Sequence, residues 1–238
     1  MTDTPRRLLP FPDDWSRALA IVAHPDDLEY GAASAIATWT DAGRRVGYLL
    51  ASRGEAGIDT LEPAQCARVR EAEERASAAT VGVTDVQFLD HADGVIEYGI
   101  ALRRDLALAI RASRPELLVT INHHASWGGR SFNMADHRNV GLAVLDAARD
   151  AGNRWVFPEA GLEPWSGVRY VAVNAAPSPT HAVDVGAHLE RGIASLECHA
   201  AYLAHVGGDP RAMLTDRARA DGAAFGREHA VSFELIEL

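Results

Sequence analysis

Cysteine and positive charge are both scarce in this sequence. Of its 238 residues only two are cysteine, Cys66 and Cys198. Two cysteines so far apart form neither a metal-binding pair nor a disulfide framework, so we expect reduced thiols in a cytoplasmic protein. Arginine and lysine together number 23 against 33 acidic residues, which gives a formal net charge of −10. This balance argues against a nucleic-acid partner, because such a partner requires a basic face.

Long apolar runs, internal repeats and low-complexity linkers are also missing. No stretch approaches the roughly 18 apolar residues of a membrane span. The basic residues near the amino terminus are not followed by the apolar region of a signal peptide. Hydrophobic residues make up 47% of the chain, enough for a sizeable core at this length. We therefore expect no membrane span and a single domain over residues 1–238, with residues 1–16 as an amino-terminal arm. The choice between a monomer and a homo-oligomer is left open.

Apolar segments of strand length alternate along the chain with segments of helical period. The predicted strands cover residues 19–23, 46–51, 86–89, 117–121, 170–173 and 231–238. The predicted helices cover residues 31–42, 62–79, 99–113, 136–149, 187–205 and 214–226. This alternation predicts an α/β fold: a Rossmann-like, mostly parallel twisted sheet flanked by helices, with extra carboxyl-terminal strands and helices.

One histidine and two aspartates lie where the first predicted strand ends and the first helix begins. Open α/β sheets bind their ligands at such junctions. His24 offers a nitrogen ligand and Asp27 an oxygen ligand, and Pro25 stiffens the turn between them. Because the side chains of Asp26 and Asp27 diverge, one can bind a metal while the other stays free as a base. A catalytic zinc site usually has three protein ligands and an open fourth position, so a third ligand is needed.

The candidate third ligand is His137, at the start of the helix that follows the strand at 117–121. Two strand-to-helix junctions of one parallel sheet can meet in space, so a ligand set split between them is reasonable. The loop at 122–135 is rich in glycine, serine and histidine, and loops of that length in compact domains are usually functional or disordered. Trp127 and Phe132 in this loop could pack on a sugar ring, or they could anchor the loop.

Several motifs, in the same order, resemble those of the PIG-L/LmbE-like metal-dependent N-deacetylases. The stretch at 23–31, Ala-His-Pro-Asp-Asp-Leu-Glu-Tyr-Gly, looks like the first motif of that family. The others are the Gly-Glu turn at 52–57, the Arg-x-x-Glu helix that leads to the Gly-Val turn at 82–83, the Asp-Gly loop at 88–94, the strand at 114–120 and the pair Asp136-His137. The resemblance covers roughly residues 17–150 well and the remainder loosely.

This resemblance implies a zinc-dependent hydrolase that removes the acetyl group from an N-acetylated amino sugar or sugar conjugate. By position, His24, Asp27 and His137 are implied as the metal ligands and Asp26 as the general base. Fe²⁺ is the alternative to Zn²⁺, because two histidines and one carboxylate also suit non-haem iron.

Substrate contacts are implied at Arg70 and Asp93, and Glu55 is a further candidate to orient substrate hydroxyls. For Arg70 the alternative is an ordinary solvated helix face, because arginine and glutamate recur there at helical spacing.

The second metal motif departs from the family pattern. The family often has His-Pro-Asp-His there, and its first histidine assists catalysis, whereas this chain has Met-Ala-Asp-His at 134–137. Met134 cannot donate a charged hydrogen bond to an oxyanion. His123 and His124, just after the preceding strand, are the nearest replacements by position.

Two other functions are weighed against hydrolysis. Met134 suggests a metal-containing sugar-binding or regulatory protein without turnover, although such a protein has no evident need for Asp26. A nucleotide binder would suit the fold class, but the first strand-to-helix turn lacks Gly-x-Gly-x-x-Gly and carries carboxylates where phosphate would lie.

Among the other histidines, His199 and His205 are expected to be partly exposed on the helix at 187–205.

Overall fold

The computed structural model describes residues 7–238, and a sheet of eight strands forms its centre. The strands of this sheet are β1 (Leu9–Pro10), β2 (Arg17–Val22), β3 (Arg45–Leu50), β4 (Val86–Phe88), β5 (Leu117–Ile121), β8 (Tyr170–Asn174), β9 (His181–Asp184) and β10 (Ala230–Glu237), and β6 (Ser126–Gly128) and β7 (Ser131–Phe132) form a separate hairpin. The order in the sheet is β1-β9-β10-β8-β5-β2-β3-β4. Within this sheet only β10 runs antiparallel to its neighbours. The predicted fold class, a mostly parallel sheet with extra carboxyl-terminal strands, is confirmed.

Helices cover both faces of the sheet. They are α1 (Ala33–Asp41), α2 (Pro63–Thr80), α3 (Ile100–Ser113), α4 (Ala135–Gly152), α5 (Leu189–Glu197), α6 (Ala200–Val206) and α7 (Pro210–Phe225). In β2, Val22 joins the apolar cluster that contains Ile36 of α1, whereas Ile21 joins the cluster that contains Leu106 of α3. The strand is therefore apolar on both sides, as parallel strands between two helical layers usually are.

The sequence-based assignment is wrong in the carboxyl-terminal part and at one sheet edge. The predicted helix at 187–205 is two helices, α5 and α6, because the chain leaves the helical path at His199, which has ψ of 51°. Part of the predicted arm forms β1, which pairs with β9, another strand that the sequence did not indicate. Residues 1–6 of that arm lie outside the described residues. The other predicted elements are present, with ends that differ by at most four residues, and the single domain stays a prediction.

The described helices include none with the length and apolar character needed to cross a membrane.

Three loops meet at the carboxyl edge of the sheet. Strand β2 pairs in parallel with β3 on one side and with β5 on the other. The turn at 23–27 after β2, the turn at 51–57 after β3 and the loop at 122–134 after β5 therefore leave the sheet side by side. Strand order thus brings together segments that are a hundred residues apart, at the edge where open α/β sheets bind ligands.

Candidate active site and metal centre

The turn after β2 is held in an unusual backbone conformation. One oxygen of Asp27, Oδ2, accepts hydrogen bonds from the backbone N–H groups of Ala23 at 3.0 Å and His24 at 2.9 Å. Asp26 has φ of +91°, in a region that residues with a side chain rarely adopt. Such a conformation costs about 1–3 kcal/mol and persists only where the surroundings enforce it. The hydrogen bonds to Asp27 are part of that enforcement.

Three buried side chains place ligand atoms around one point. Nε2 of His137 lies 3.0 Å from Oδ1 of Asp27 and 3.2 Å from Nδ1 of His24. Nδ1 of His24 lies 3.7 Å from Oδ2 of Asp27. Ligand atoms bound to one zinc ion at about 2.0–2.2 Å lie about 3–3.6 Å from each other. The predicted ligand set is therefore brought together by the fold at separations that suit one ion.

The second nitrogen of each histidine has its own acceptor. Nε2 of His24 lies 2.9 Å from Oδ1 of Asp93 and 3.2 Å from Oδ2 of Asp136. Nδ1 of His137 lies 3.2 Å from Oδ1 of Asn133. Metal-binding histidines usually donate their other N–H to such an oxygen, which fixes the ring and its tautomer. This arrangement leaves Nδ1 of His24 and Nε2 of His137 free to bind, so the residues present fit a metal ion.

The electrostatics of this cluster favour a cation. Burial lowers the pKa of His24, but Asp136, Asp27 and Asp93 outweigh it, and the pKa is well above its usual value. Burial raises the pKa of Asp27, but the neighbouring His137 and His24 outweigh it and hold the pKa well below its usual value. Asp27 is therefore anionic beside the position where a metal ion would lie.

Replacing Asn133 with alanine is expected to weaken zinc binding about 10–100-fold, the usual effect of losing an outer-shell partner. The change removes the oxygen that faces Nδ1 of His137, together with the amide that donates to the carbonyl oxygens of Asn122 and His124, and keeps the three candidate ligands. Zinc affinity would be measured by competition with a chelator, with Asn153→Ala at the far end of α4 as the matched control. Equal affinities in the two variants would mean that Asn133 does not orient His137.

Asp26 stands apart from the ligand set. Its Oδ1 lies 3.2 Å from Nη2 of Arg70, and its side chain lines the same cavity as the three ligands. Burial raises the pKa of Asp26 to about 6, with Asp27 adding to the rise and Arg70 opposing it. A carboxylate with a pKa near neutrality is well suited to accept and return a proton.

Arg70 is buried, with 3% of its surface exposed, which excludes the solvated helix face considered for it. Its guanidinium donates to the carbonyl oxygens of Pro25 and Gly54 and pairs with Asp26. A Cβ atom at Gly54 or Gly57 would lie 2.5 or 2.3 Å from Nη1 of Arg70, so the turn after β3 needs glycine to let the guanidinium in. Arg70 lines the cavity, and its contact with substrate stays a prediction.

The two acidic candidates of the neighbouring loops differ in position. Asp93 lines the cavity, where it contacts His24 and accepts from the N–H of Ala56 at 2.8 Å. Glu55 is not among the lining residues. Its carboxylate accepts from the N–H groups of Asp93 at 2.9 Å and Arg53 at 3.2 Å. Glu55 thus joins two loops of the site instead of facing a ligand.

His123 and His124 do not take the place of the missing histidine. Their rings lie 4.3 Å apart, Nε2 of His124 lies 2.6 Å from Oε2 of Glu234 on β10, and neither residue lines the cavity. Because β8 alone separates β5 from β10, the chain after β5 can direct these rings toward the antiparallel strand β10. Met134 does line the cavity, where the family motif has histidine.

His199 is also placed differently from the prediction. It is fully buried rather than partly exposed, because the break between α5 and α6 turns its ring inward. His205, farther along α6, is exposed. Sequence analysis likewise missed Asn133 and Glu74. Asn133 lies four residues before His137, just before α4 begins. This spacing of about one helical turn was the signal that the two side chains could meet.

The cavity has a volume of about 450 Å³ and a largely apolar, aromatic wall. Its aromatic and larger apolar lining residues are Tyr30, Ile121, Trp127, Met134 and Tyr202. Trp127 packs edge-on against the ring of His137, with centroids 5.4 Å apart. Phe132, the other aromatic residue predicted to line a pocket, is 72% exposed and lies outside it. The hairpin therefore contributes one of its two predicted rings to the cavity.

Comparison with known proteins places this site in a family. Residues 19–148 match the profile of the PIG-L family, described as GlcNAc-PI de-N-acetylase. The chain is 30% identical, over 193 residues, to a diacetylchitobiose deacetylase of Thermococcus kodakarensis, a match that covers 79% of this chain and 70% of the relative.

Solved structures share the fold. The N,N'-diacetylchitobiose deacetylase of Pyrococcus horikoshii has a TM-score of 0.84 at 22% identity, with 94% of this chain and 84% of that chain covered. The 4-carboxy-2-hydroxymuconate hydratase of Pseudomonas putida has a TM-score of 0.72 at 19% identity, with 94% and 96% covered. At these identities the likeness establishes the fold and not the reaction. The family profile spans more than half of the chain and includes both metal motifs, and this protein therefore belongs to the PIG-L family.

Proposed function

We propose that this chain is a metal-dependent hydrolase that removes the acetyl group from an N-acetylated amino sugar or sugar conjugate. The observation that carries the proposal is the presence, in one cavity, of a three-residue ligand set and a separate buried carboxylate, Asp26. Family membership and the deacetylase relative support the same reaction.

In this proposal His24, Asp27 and His137 hold Zn²⁺, with Fe²⁺ as the alternative. When bound, such an ion lowers the pKa of a water molecule toward about 7 and polarises the substrate carbonyl. Asp26 takes a proton from the attacking water, and a C–O bond forms at the carbonyl carbon. Asp26 then donates the proton to the nitrogen as the C–N bond breaks, which releases acetate and the free amine. Arg70 keeps Asp26 directed at this point.

The walls of the cavity suit a small sugar. Its volume of about 450 Å³ lies within the usual range of small-molecule sites. The rings of Trp127 and Tyr30 can pack on the faces of a pyranose, while Asp93 and Arg70 can orient its hydroxyl groups. Because Met134 has no N–H or O–H to donate, it cannot stabilise charge on the carbonyl oxygen, and a bound metal ion would supply part of that stabilisation.

The proposal is tested by acetate release from N-acetylglucosamine, diacetylchitobiose and N-acetylglucosaminides of varied aglycone. We expect equal amounts of acetate and free amine from the zinc- or iron-loaded protein, loss of turnover after chelation, and recovery on metal return. Mass spectrometry would also detect addition of water without acetate, the outcome expected of a hydratase.

Met134 is the observation that favours the second candidate, a metal-containing sugar-binding or regulatory protein without turnover. Calorimetric binding of these sugars to the metal-loaded chain, with no acetate above the chelated control, would support that candidate and exclude the hydrolase.

A further inference from the structure

Two residues of α2, one helical turn apart, hold Asp26 from different sides. Arg70 contacts its carboxylate, as described above. Oε2 of Glu74 accepts from the backbone N–H of Asp26 at 3.3 Å. The carboxylate of Glu74 is fully buried, and its contact with the N–H lies beside the unusual φ of Asp26. The side chain and the backbone of Asp26 are thus both set by one face of α2.

Each of these α2 residues is contacted by a side chain from the start of α6: His199, which directly precedes the helix, or Tyr202 within it. Nε2 of His199, which lies at the start of α6, is 3.6 Å from Oε2 of Glu74 and 3.7 Å from Oε2 of Glu29. The ring of Tyr202, three residues later and so on the same side of the helix, lies 4.1 Å from Cζ of the Arg70 guanidinium. Arg70 and Glu74 are one helical turn apart, and so are His199 and Tyr202. The two pairs can therefore face each other, and the start of α6 contacts both residues that hold Asp26.

The contact of His199 with Glu29 is of ion-pair type. Burial lowers the pKa of His199, but Glu29 outweighs it and the pKa is above its usual value. Oε1 of Glu29 is oriented by the hydroxyl of Ser77 at 2.6 Å, also from α2. Burial and the neighbouring Glu29 raise the pKa of Glu74 well above its usual value, so the charged contact of His199 is with Glu29, while its ring lies beside Glu74. A buried ring held between these two side chains limits the movement of both.

We propose that His199 and Tyr202 are positioning residues, which keep Glu74 and Arg70 in the arrangement that directs Asp26 into the cavity. Both lie beyond residues 19–148, the span that matches the family profile. This inference rests on the proposed function, in which Asp26 is the general base. If the inference holds, the chain at the start of α6 contributes to the reaction although it lies more than 170 residues after Asp26.

The test uses His199→Gln and Tyr202→Leu, with His205→Gln as the matched control on the exposed part of α6. We expect each of the first two changes to lower kcat per metal-loaded chain about 10–100-fold, since small displacements of a reacting group can cost that much. Metal content should stay within about twofold of the control in both variants, because the three candidate ligands are kept. KM should also stay within about twofold in His199→Gln, which leaves the cavity lining unchanged, whereas Tyr202→Leu alters a lining residue. Tyr202→Phe retains the ring over Arg70 and should therefore leave hydrogen–deuterium exchange at residues 23–30 at the control value.

A second measurement does not depend on activity. Hydrogen–deuterium exchange of the peptide at 23–30 is expected to become faster in both variants than in His205→Gln, because the Asp26 turn loses its support. A role confined to stability would lower the melting temperature and leave kcat per folded, metal-loaded chain unchanged.

The proposal is overturned if Tyr202→Leu matches the control both in kcat and in the exchange of the peptide at 23–30. This variant keeps the test decisive even if His199→Gln does not fold. If wild type releases no acetate from any substrate, the proposed function fails, and the exchange measurement alone then decides whether α6 supports the turn.

Discussion

Asp26→Asn is expected to lower kcat about 10²–10⁴-fold while the metal content per chain stays at the wild-type value. An amide cannot accept the proton of the attacking water, and loss of a general base typically has an effect of this size. The metal should remain, because Asp26 contacts Arg70 at 3.2 Å and is not one of the three converging ligands. Asparagine is nearly the same size as aspartate, so the turn keeps its packing.

The measurements are steady-state kinetics and elemental analysis of the same samples, and Asp90→Asn serves as the control because its side chain is 90% exposed. A variant that loses metal and turnover together would identify Asp26 as a ligand instead of the base. Unchanged turnover would assign proton transfer to another group.

His137→Ala is expected to abolish turnover by removing the metal itself. Loss of an outer-shell partner alone weakens binding about 10–100-fold, and loss of a ligand should exceed that. We expect the metal content to fall from near one ion per chain to a small fraction, with the fold retained, because His137 lies at the first turn of α4 on the edge of the cavity.

Elemental analysis after dialysis against buffer without metal measures this loss, and His91→Ala is the control histidine, since it contacts Asp105 away from the cavity. Full metal content in His137→Ala would show that the converging atoms are not the metal site. The pattern of the two variants separates the roles: metal without turnover for Asp26→Asn, and neither for His137→Ala.

The fold class and the core of the site could be predicted because their signals are local. A continuous apolar run such as β5 indicates an element that is buried on both faces, and the helical period of α3 indicates one that is buried on one face. Neither signal depends on which elements pack against it. The turn at 23–27 likewise carries two candidate ligands, a candidate base and a stiff proline within five residues. His137 could be paired with it because parallel strands send their carboxyl ends to one edge of the sheet.

The directions of the loop side chains could not be predicted, because they depend on contacts with distant parts of the chain and not on the local sequence pattern. Glu55 and Asp93 both follow strands and both carry carboxylates, yet only Asp93 faces the cavity. His124 lies in the loop between β5 and His137, but its ring contacts Glu234, 110 residues later. The direction of a loop side chain is set by what packs against the loop, and no periodicity reports it.

By itself, the sequence determined the α/β class, the turn that carries two candidate ligands and the residues that can bind an ion or carry a proton, since each follows from residue type and short-range spacing. Only the tertiary structure decided which groups contact them from the protein side: Asn133 contacts His137, Glu74 contacts Asp26, and His199 contacts Glu74. These pairs join elements whose approach is set by the packing of α2, α4 and α6 around the sheet. A buried polar side chain takes the partner that the assembled interior offers, and that partner is defined only once the whole chain has folded.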